Sequence, residues 1–371
     1  MKSLQQLRRE LHQIPELAHE EYLTQAYLLE QMREYTELEI YEFSPTGILA
    51  AYTGGKGSYQ LFRADMDALA LSEQTGCGFE SQHEGVMHAC GHDMHMTILL
   101  GLIAKVMAEQ PAQNVLFLFQ PAEEGKGGAA RVLADGIWDK YKVGAAYALH
   151  VSPDLPVGEI SSRAGNFFAA TCEFDLRIIG KSAHIATPSA GRNALQAGIE
   201  IYQCVQQLPR VVKSGEHFIC DFGILQSGNV RNAIPSECFM SGTIRAEDQE
   251  RIAALKASLE GICESVELAY EVQVQVEYLV EYKEVYNKRE LVDDLKQSAQ
   301  EAGISFREAE LTLAGEDFGF IAGRWGGVLF WLGAAGEEFY PLHNNRFLPD
   351  EKALETGVRL LWRLLKKRKG T

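Results

Sequence analysis

Apolar and polar positions give the chain two textures. Between residues 20 and 35, apolar side chains at Tyr22, Ala26 and Leu29 recur at helical spacing and predict a helix carrying that stripe. Residues 48–52 and 59–62 read as strands, and an apolar helix is expected over 96–109. Residues 115–119, VLFLF, form a continuous apolar run of strand length, the pattern of a strand buried on both faces. A helix over 129–133 and a short strand over 145–149, ending at His150, continue an alternation of strands and helices that indicates a mostly parallel α/β sheet.

The texture changes after about residue 168. Residues 172–179 alternate, a Gly/His/Pro loop follows, then a helix near 193–207 and strands near 218–225, 238–245 and 272–280. That is an α+β pattern with antiparallel strands, consistent with an inserted second domain. A helix near 288–302 and an apolar strand over 328–332 then resume the first texture. The expected division is a discontinuous catalytic domain over 1–168 and 284–371, with an insert over 169–283. A length of 371 residues fits two cores better than one.

Composition narrows the class. An apolar fraction of 46% suits a globular protein, and the longest apolar stretch, near Ile98, is cut at Lys105, short of the about 20 residues that cross a bilayer. The first residues lack the apolar core of a secretory signal, and seven widely spaced cysteines argue for reduced thiols. A soluble, cytoplasmic protein without a membrane partner is expected. The formal net charge of −16 repels phosphate backbones, and the one basic run, Lys366 to Lys369, closes the chain. Nucleic acid is therefore excluded as a partner, while a small anionic molecule is allowed where metal ions and arginines reverse the field locally.

Candidate chemistry is concentrated in residues 87–96, MHACGHDMHM, which hold three histidines, an aspartate and a cysteine. Cys90 and His92 can reach one ion, and thiolate with imidazole suits zinc better than magnesium or calcium. Other reactive groups fall where an open α/β sheet gathers them, past strand ends: Asp65 and Asp67, Glu123 and Glu124, and His150. Of the two adjacent glutamates, one can bind metal while the other carries a proton from water to a leaving amine. One aspartate of RADMDAL can orient a ligand histidine through its second nitrogen. His150 and His343, taken singly, read equally well as structural histidines.

The order RADMDAL, MHACGHD, PAEEG, a strand-end histidine, GKSAH, GNVRNAIP, GTIRA, AGEDF and PLHN resembles the dinuclear-metal aminoacylase and carboxypeptidase superfamily, in its indole-acetyl-amino-acid and hippurate hydrolase branch. Residues 72–96 are similar to the N-acetyldiaminopimelate deacetylases of bacterial lysine biosynthesis. The resemblance implies a metallohydrolase catalytic domain with an inserted dimerisation (lid) domain, and two divalent metal ions per subunit. Zinc, manganese, cobalt or nickel all suit the donors. It implies Cys90, His92, Glu124, His150 and His343 as ligands, with Cys90 bridging where other members have aspartate. Asp65 stands where many members carry a ligand histidine and is not assigned to metal; His88 and His95 are read as neighbours that pack or touch substrate.

By the same resemblance Glu123 is the general base and acid, and Asp67 positions the metal site. His184 reaches the neighbouring subunit of a homodimer to stabilise the tetrahedral oxyanion, while Asn232 and Arg245 lie near the substrate carboxylate, where Arg offers a bidentate fork. Gly315, Glu316 and Asp317 shape a pocket wall or open a helix. The implied reaction is hydrolysis of N-acetyl-LL-2,6-diaminopimelate. The rival readings are a broader N-acyl amino acid or hippurate hydrolase, and a metal-stabilised binding protein without catalysis.

Overall fold

The computed structural model describes residues 2–208 and 217–367; Arg368 and Lys369 of the basic run lie outside the described residues. Two compact units divide the chain: Met1–Phe167 with Val285–Glu310 and Asp317–Thr371, and Phe168–Glu284 with Leu311–Glu316. Each unit has its own apolar core. The fold is mixed α/β with a mostly parallel central sheet in the first unit.

In that sheet the strands Asn114–Gln120, Tyr59–Asp65, Val143–Ser152 and Gly327–Gly333 lie side by side and parallel. Leu38–Glu42 and Ile48–Thr53 add an antiparallel edge next to Asn114–Gln120. Asn114–Gln120 is buried at every position, as its continuous apolar run requires. From Tyr59–Asp65 the chain goes to the strand on one side, Asn114–Gln120, then returns to the strand on the other, Val143–Ser152. The carboxyl end of Tyr59–Asp65 is thus a topological switch point, where loops leave in opposite directions and open a crevice.

Three elements differ from the sequence expectation in ways that matter for the site. The apolar helix begins at His92, not near residue 96, so His92 and His95 occupy its first turn. The strand expected to end at His150 runs Val143–Ser152 and holds His150 within it. The early helix, Tyr22–Met32, buries Thr24, Gln25, Leu28 and Met32, whereas Tyr22 is 58% exposed. The stripe at Tyr22, Ala26 and Leu29 is therefore not the buried face, because polar side chains turn inward to hold loop backbone.

The second unit is an antiparallel four-stranded sheet, ordered Phe218–Ser227, Glu237–Ala246, Ala170–Ile179 and Gln273–Tyr282. The helices Ala194–Val205 and Gln249–Tyr270 pack on it. The second helix was not anticipated, although Ile252, Leu255, Leu259, Cys263 and Val266 form a helical stripe that it buries.

Candidate metal centre

Side chains carried by three neighbouring strands or the turns that follow them, Tyr59–Asp65, Asn114–Gln120 and Val143–Ser152, meet those of Cys90, His92 and His343 at the switch point. Gly91, with φ of 86°, turns the chain sharply between Cys90 and His92, which lets two successive donors face one place. Cys90 Sγ lies 3.2 Å from His150 Nε2 and 3.3 Å from His343 Nε2. His343 Nε2 is also 3.2 Å from Glu124 Oε1. Two groups of donor atoms close enough to share an ion, Cys90 with His92 and His150, and Cys90 with Glu124 and His343, have the thiol in common. His92 also groups with Glu123 and Glu124.

The imidazoles are oriented from behind. His92 Nδ1 lies 2.8 Å from the Asp67 carbonyl oxygen, a position that makes it a donor and leaves Nε2 as the free acceptor. His150 Nδ1 does the same toward the Val151 carbonyl, also at 2.8 Å. His95 belongs to this support rather than to the donor set: Nδ1 lies 2.5 Å from Asp65 Oδ1, and Nε2 accepts the Val151 N–H at 2.9 Å. His88 is fully buried, and burial drives its pKa down to about 3, so it stands as a neutral ring.

The donor set fits divalent metal. Buried His92 Nε2 has no hydrogen-bond partner, an expensive arrangement for a polar atom without a cation, and Glu124 Oε1 is approached by His343 Nε2 at 3.2 Å. Burial, then Glu124 and Glu123, push the Cys90 thiol well above its usual range, so the thiolate needs positive charge beside it. Burial pushes His150 well below the usual imidazole range, which keeps it in the neutral, ligating form. A second group of similar composition, His12, Glu73 and Cys77, differs. There the carboxylate already accepts from Thr75, the Ser81 N–H and His12 (3.0 Å), which explains the cluster without an ion.

Glu123 and Glu124 sit on a strained turn, not on a regular helix. Ala122 has φ of 58°, and Glu124 and Gly125 have non-helical dihedrals. Holding alanine in the left-handed region costs about 1–2 kcal/mol, while a hydrogen bond to a charged acceptor contributes about 1.5–3 kcal/mol. Three such bonds restrain this loop. Ala122 N–H donates to Glu21 Oε1 at 2.8 Å, Glu124 N–H to Asp67 Oδ2 at 2.9 Å, and Ala129 N–H to Asp317 Oδ2 at 2.8 Å.

Asp317 stands at the start of the helix Phe318–Trp325, the second of its two expected places; it is buried, receives Arg63 Nη2 at 2.8 Å and Gln120 Nε2 at 2.8 Å, and braces the loop from below. Glu21 falls in none of the motifs, and the AGEDF motif gives Asp317 no such role, since each acts through main-chain atoms far away in sequence. Of the remaining site residues, His184, Asn232 and Arg245 belong to the second unit. His184 is exposed in the two-residue strand Ala183–His184, and its neighbour Ile185 N–H donates to the Asn232 carbonyl at 3.0 Å. Arg245 Nη1 donates to the Leu313 carbonyl at 3.1 Å, with Glu173 3.9 Å away.

Residues 61–367 match Peptidase family M20/M25/M40. A relative from Oceanobacillus iheyensis named N-acetyldiaminopimelate deacetylase is 39% identical over 366 residues, covering 96% of this chain and 97% of that one. One of the same name from Streptococcus pneumoniae is 39% identical, with 99% of both chains covered. A Bacillus subtilis structure described as a dinuclear metal-binding peptidase of the M20 family aligns with a TM-score of 0.84 at 29% identity, covering 98% of this chain and 96% of that one. The chain belongs to the M20/M25/M40 peptidase family.

Proposed function

We propose that this protein hydrolyses the amide bond of N-acetyl-LL-2,6-diaminopimelate to LL-2,6-diaminopimelate and acetate. The observation that carries the reaction type is the meeting of Cys90, His92, Glu124, His150 and His343 beside Glu123 at one sheet end. The substrate comes from the relatives, which carry the name N-acetyldiaminopimelate deacetylase over nearly their full length.

In this reading those five residues would hold two divalent ions per subunit, zinc by donor type, Cys90 being common to two of the donor groups. Such ions supply Lewis acidity and make water acidic enough to react near neutral pH. Glu123 takes the proton from the attacking water and returns it to the departing amine, so one carboxyl group serves as base and then acid. Asp67 fixes both sides of the centre, holding His92 through its carbonyl and the Glu124 N–H through its carboxylate. The protein acts as a cytoplasmic homodimer in which His184 from the second subunit stabilises the oxyanion, with Asn232 and Arg245 receiving the substrate carboxylate.

Product analysis of the metal-reconstituted protein tests this. Acetate and LL-2,6-diaminopimelate are expected in equal amounts, with faster turnover than of hippurate. Glu123→Ala should keep its metal and lose about 10²–10⁴ in kcat, since both proton transfers lose their carrier. Preference for hippurate would replace the substrate assignment, and near-normal turnover by Glu123→Ala would remove that residue from the chemistry.

A further inference from the structure

We propose that Glu21 is a positioning residue for Glu123, acting through the backbone of Ala122. The inference rests on the reading of Glu123 as the proton carrier. Glu21 caps the start of the helix Tyr22–Met32 by position, yet its side chain makes no capping hydrogen bond there. The carboxylate, fully buried, is spent elsewhere: Oε1 accepts the Ala122 N–H at 2.8 Å and Oε2 accepts Thr46 Oγ1–H at 2.5 Å. A buried carboxylate is costly unless its oxygens are hydrogen-bonded, and here each oxygen holds one donor.

Ala122 is the place where that cost makes sense. It is buried and left-handed, with φ of 58°, a conformation an alanine leaves unless held. The next N–H but one, that of Glu124, is held by Asp67 at 2.9 Å. Glu123 is therefore suspended between two main-chain amides, each pinned by a buried carboxylate. Glu21 controls the upstream pin.

The surroundings stiffen it. One helical turn on, Gln25 Oε1 accepts the Gly47 N–H at 3.1 Å, and Gln25 Nε2 donates to Glu42 at 2.8 Å. Gly47 has φ of 110°, and a Cβ there would meet Pro121 Cδ at 2.7 Å. The helix thus fixes the Thr46–Gly47 turn, the turn packs on Pro121, and Glu21 ties both to Ala122. None of these residues is a metal donor, so the clamp acts on the aim of Glu123 and not on metal binding.

The test compares Glu21→Ala, Glu21→Asp and Glu21→Gln in the metal-loaded protein. Alanine removes the acceptor and aspartate withdraws it by one methylene; both should lower kcat by about 10–100-fold with little change in KM, the size expected for a misplacement on the order of 1 Å. Glutamine keeps an acceptor oxygen and should recover kcat to within about threefold of wild type. Metal content should be unchanged in all three. In a Glu123→Ala background, Glu21→Ala should cost almost nothing more, because the group it aims is gone.

Equal losses in both backgrounds, or loss confined to KM or to metal content, would overturn the proposal. Hydrogen exchange gives a readout independent of turnover. The peptide over residues 121–128 should exchange faster in Glu21→Ala and Glu21→Asp and remain protected in Glu21→Gln. Unchanged protection in the first two overturns the clamp even where wild type cleaves neither acetyl-diaminopimelate nor hippurate, an outcome that would separately defeat the proposed function.

Discussion

His12 shows how much of the site's framework rests on single buried contacts. It lies between Asp93, 2.8 Å from Nδ1, and Glu73, 3.0 Å from Nε2, while Arg8 Nε donates to the same Asp93 oxygen at 2.8 Å. Burial and then Arg8 push the His12 pKa down, but Asp93 and Glu73 outweigh them and leave it raised above 6.5. A folded value above the unfolded one means that the contribution to stability is fully present below about pH 6.5 and is lost as pH rises through the folded value. Thermal melts at fixed metal loading should show Tm declining above that pH, and His12→Asn should flatten the decline. An unchanged slope would remove His12 as its cause. The sequence announces Cys90, His92 and Glu123 because they cluster in short motifs. It is silent on His12 and Glu21, whose partners lie 81 and 101 residues away, and it names Asp317 without the loop amide that this residue holds 188 residues off.

At the scale of elements, the helix His92–Glu109 and the turn into it decide the donor geometry. Gly91 is required twice over: its φ is 86°, and a Cβ would stand 2.4 Å from Val151 Cγ2, beside His150. Gly91→Ala should destabilise the fold by about 2–4 kcal/mol, from left-handed strain and overpacking, and weaken metal binding about 10–100-fold as His150 is displaced. Calorimetry and metal titration check this; wild-type Tm and affinity would refute the strain argument. The helix Tyr22–Met32 shows where reading by hydrophobic period fails. Its existence followed from spacing, but its buried face carries Thr24 and Gln25, which hydropathy assigns to water. The helix Gln249–Tyr270 is the reverse case: its apolar stripe is plain in the sequence, and that stripe is the face it buries.

Across the whole molecule, the two units have separate cores, and the proposed chemistry asks for residues from both. If His184 acts on the neighbouring subunit, His184→Ala and Glu123→Ala should each be inactive as homodimers. Mixed after dissociation, they should regain about a quarter of wild-type turnover, since half the dimers are mixed and each has one competent site. No recovery despite subunit exchange would place His184 outside the reaction. The sequence alone determined the parallel sheet, the change of texture after residue 168 and the dense cluster at residues 87–96, because burial period and motif spacing are local properties that a linear chain displays. It also supplied the donor types, through the family resemblance. Only the tertiary structure decided which atoms meet: that His95 is held between Asp65 and the Val151 N–H, and that buried carboxylates pin the glutamate loop. Those outcomes depend on distances between residues remote in the chain, set when the strands adopt one register and the switch point brings their ends together.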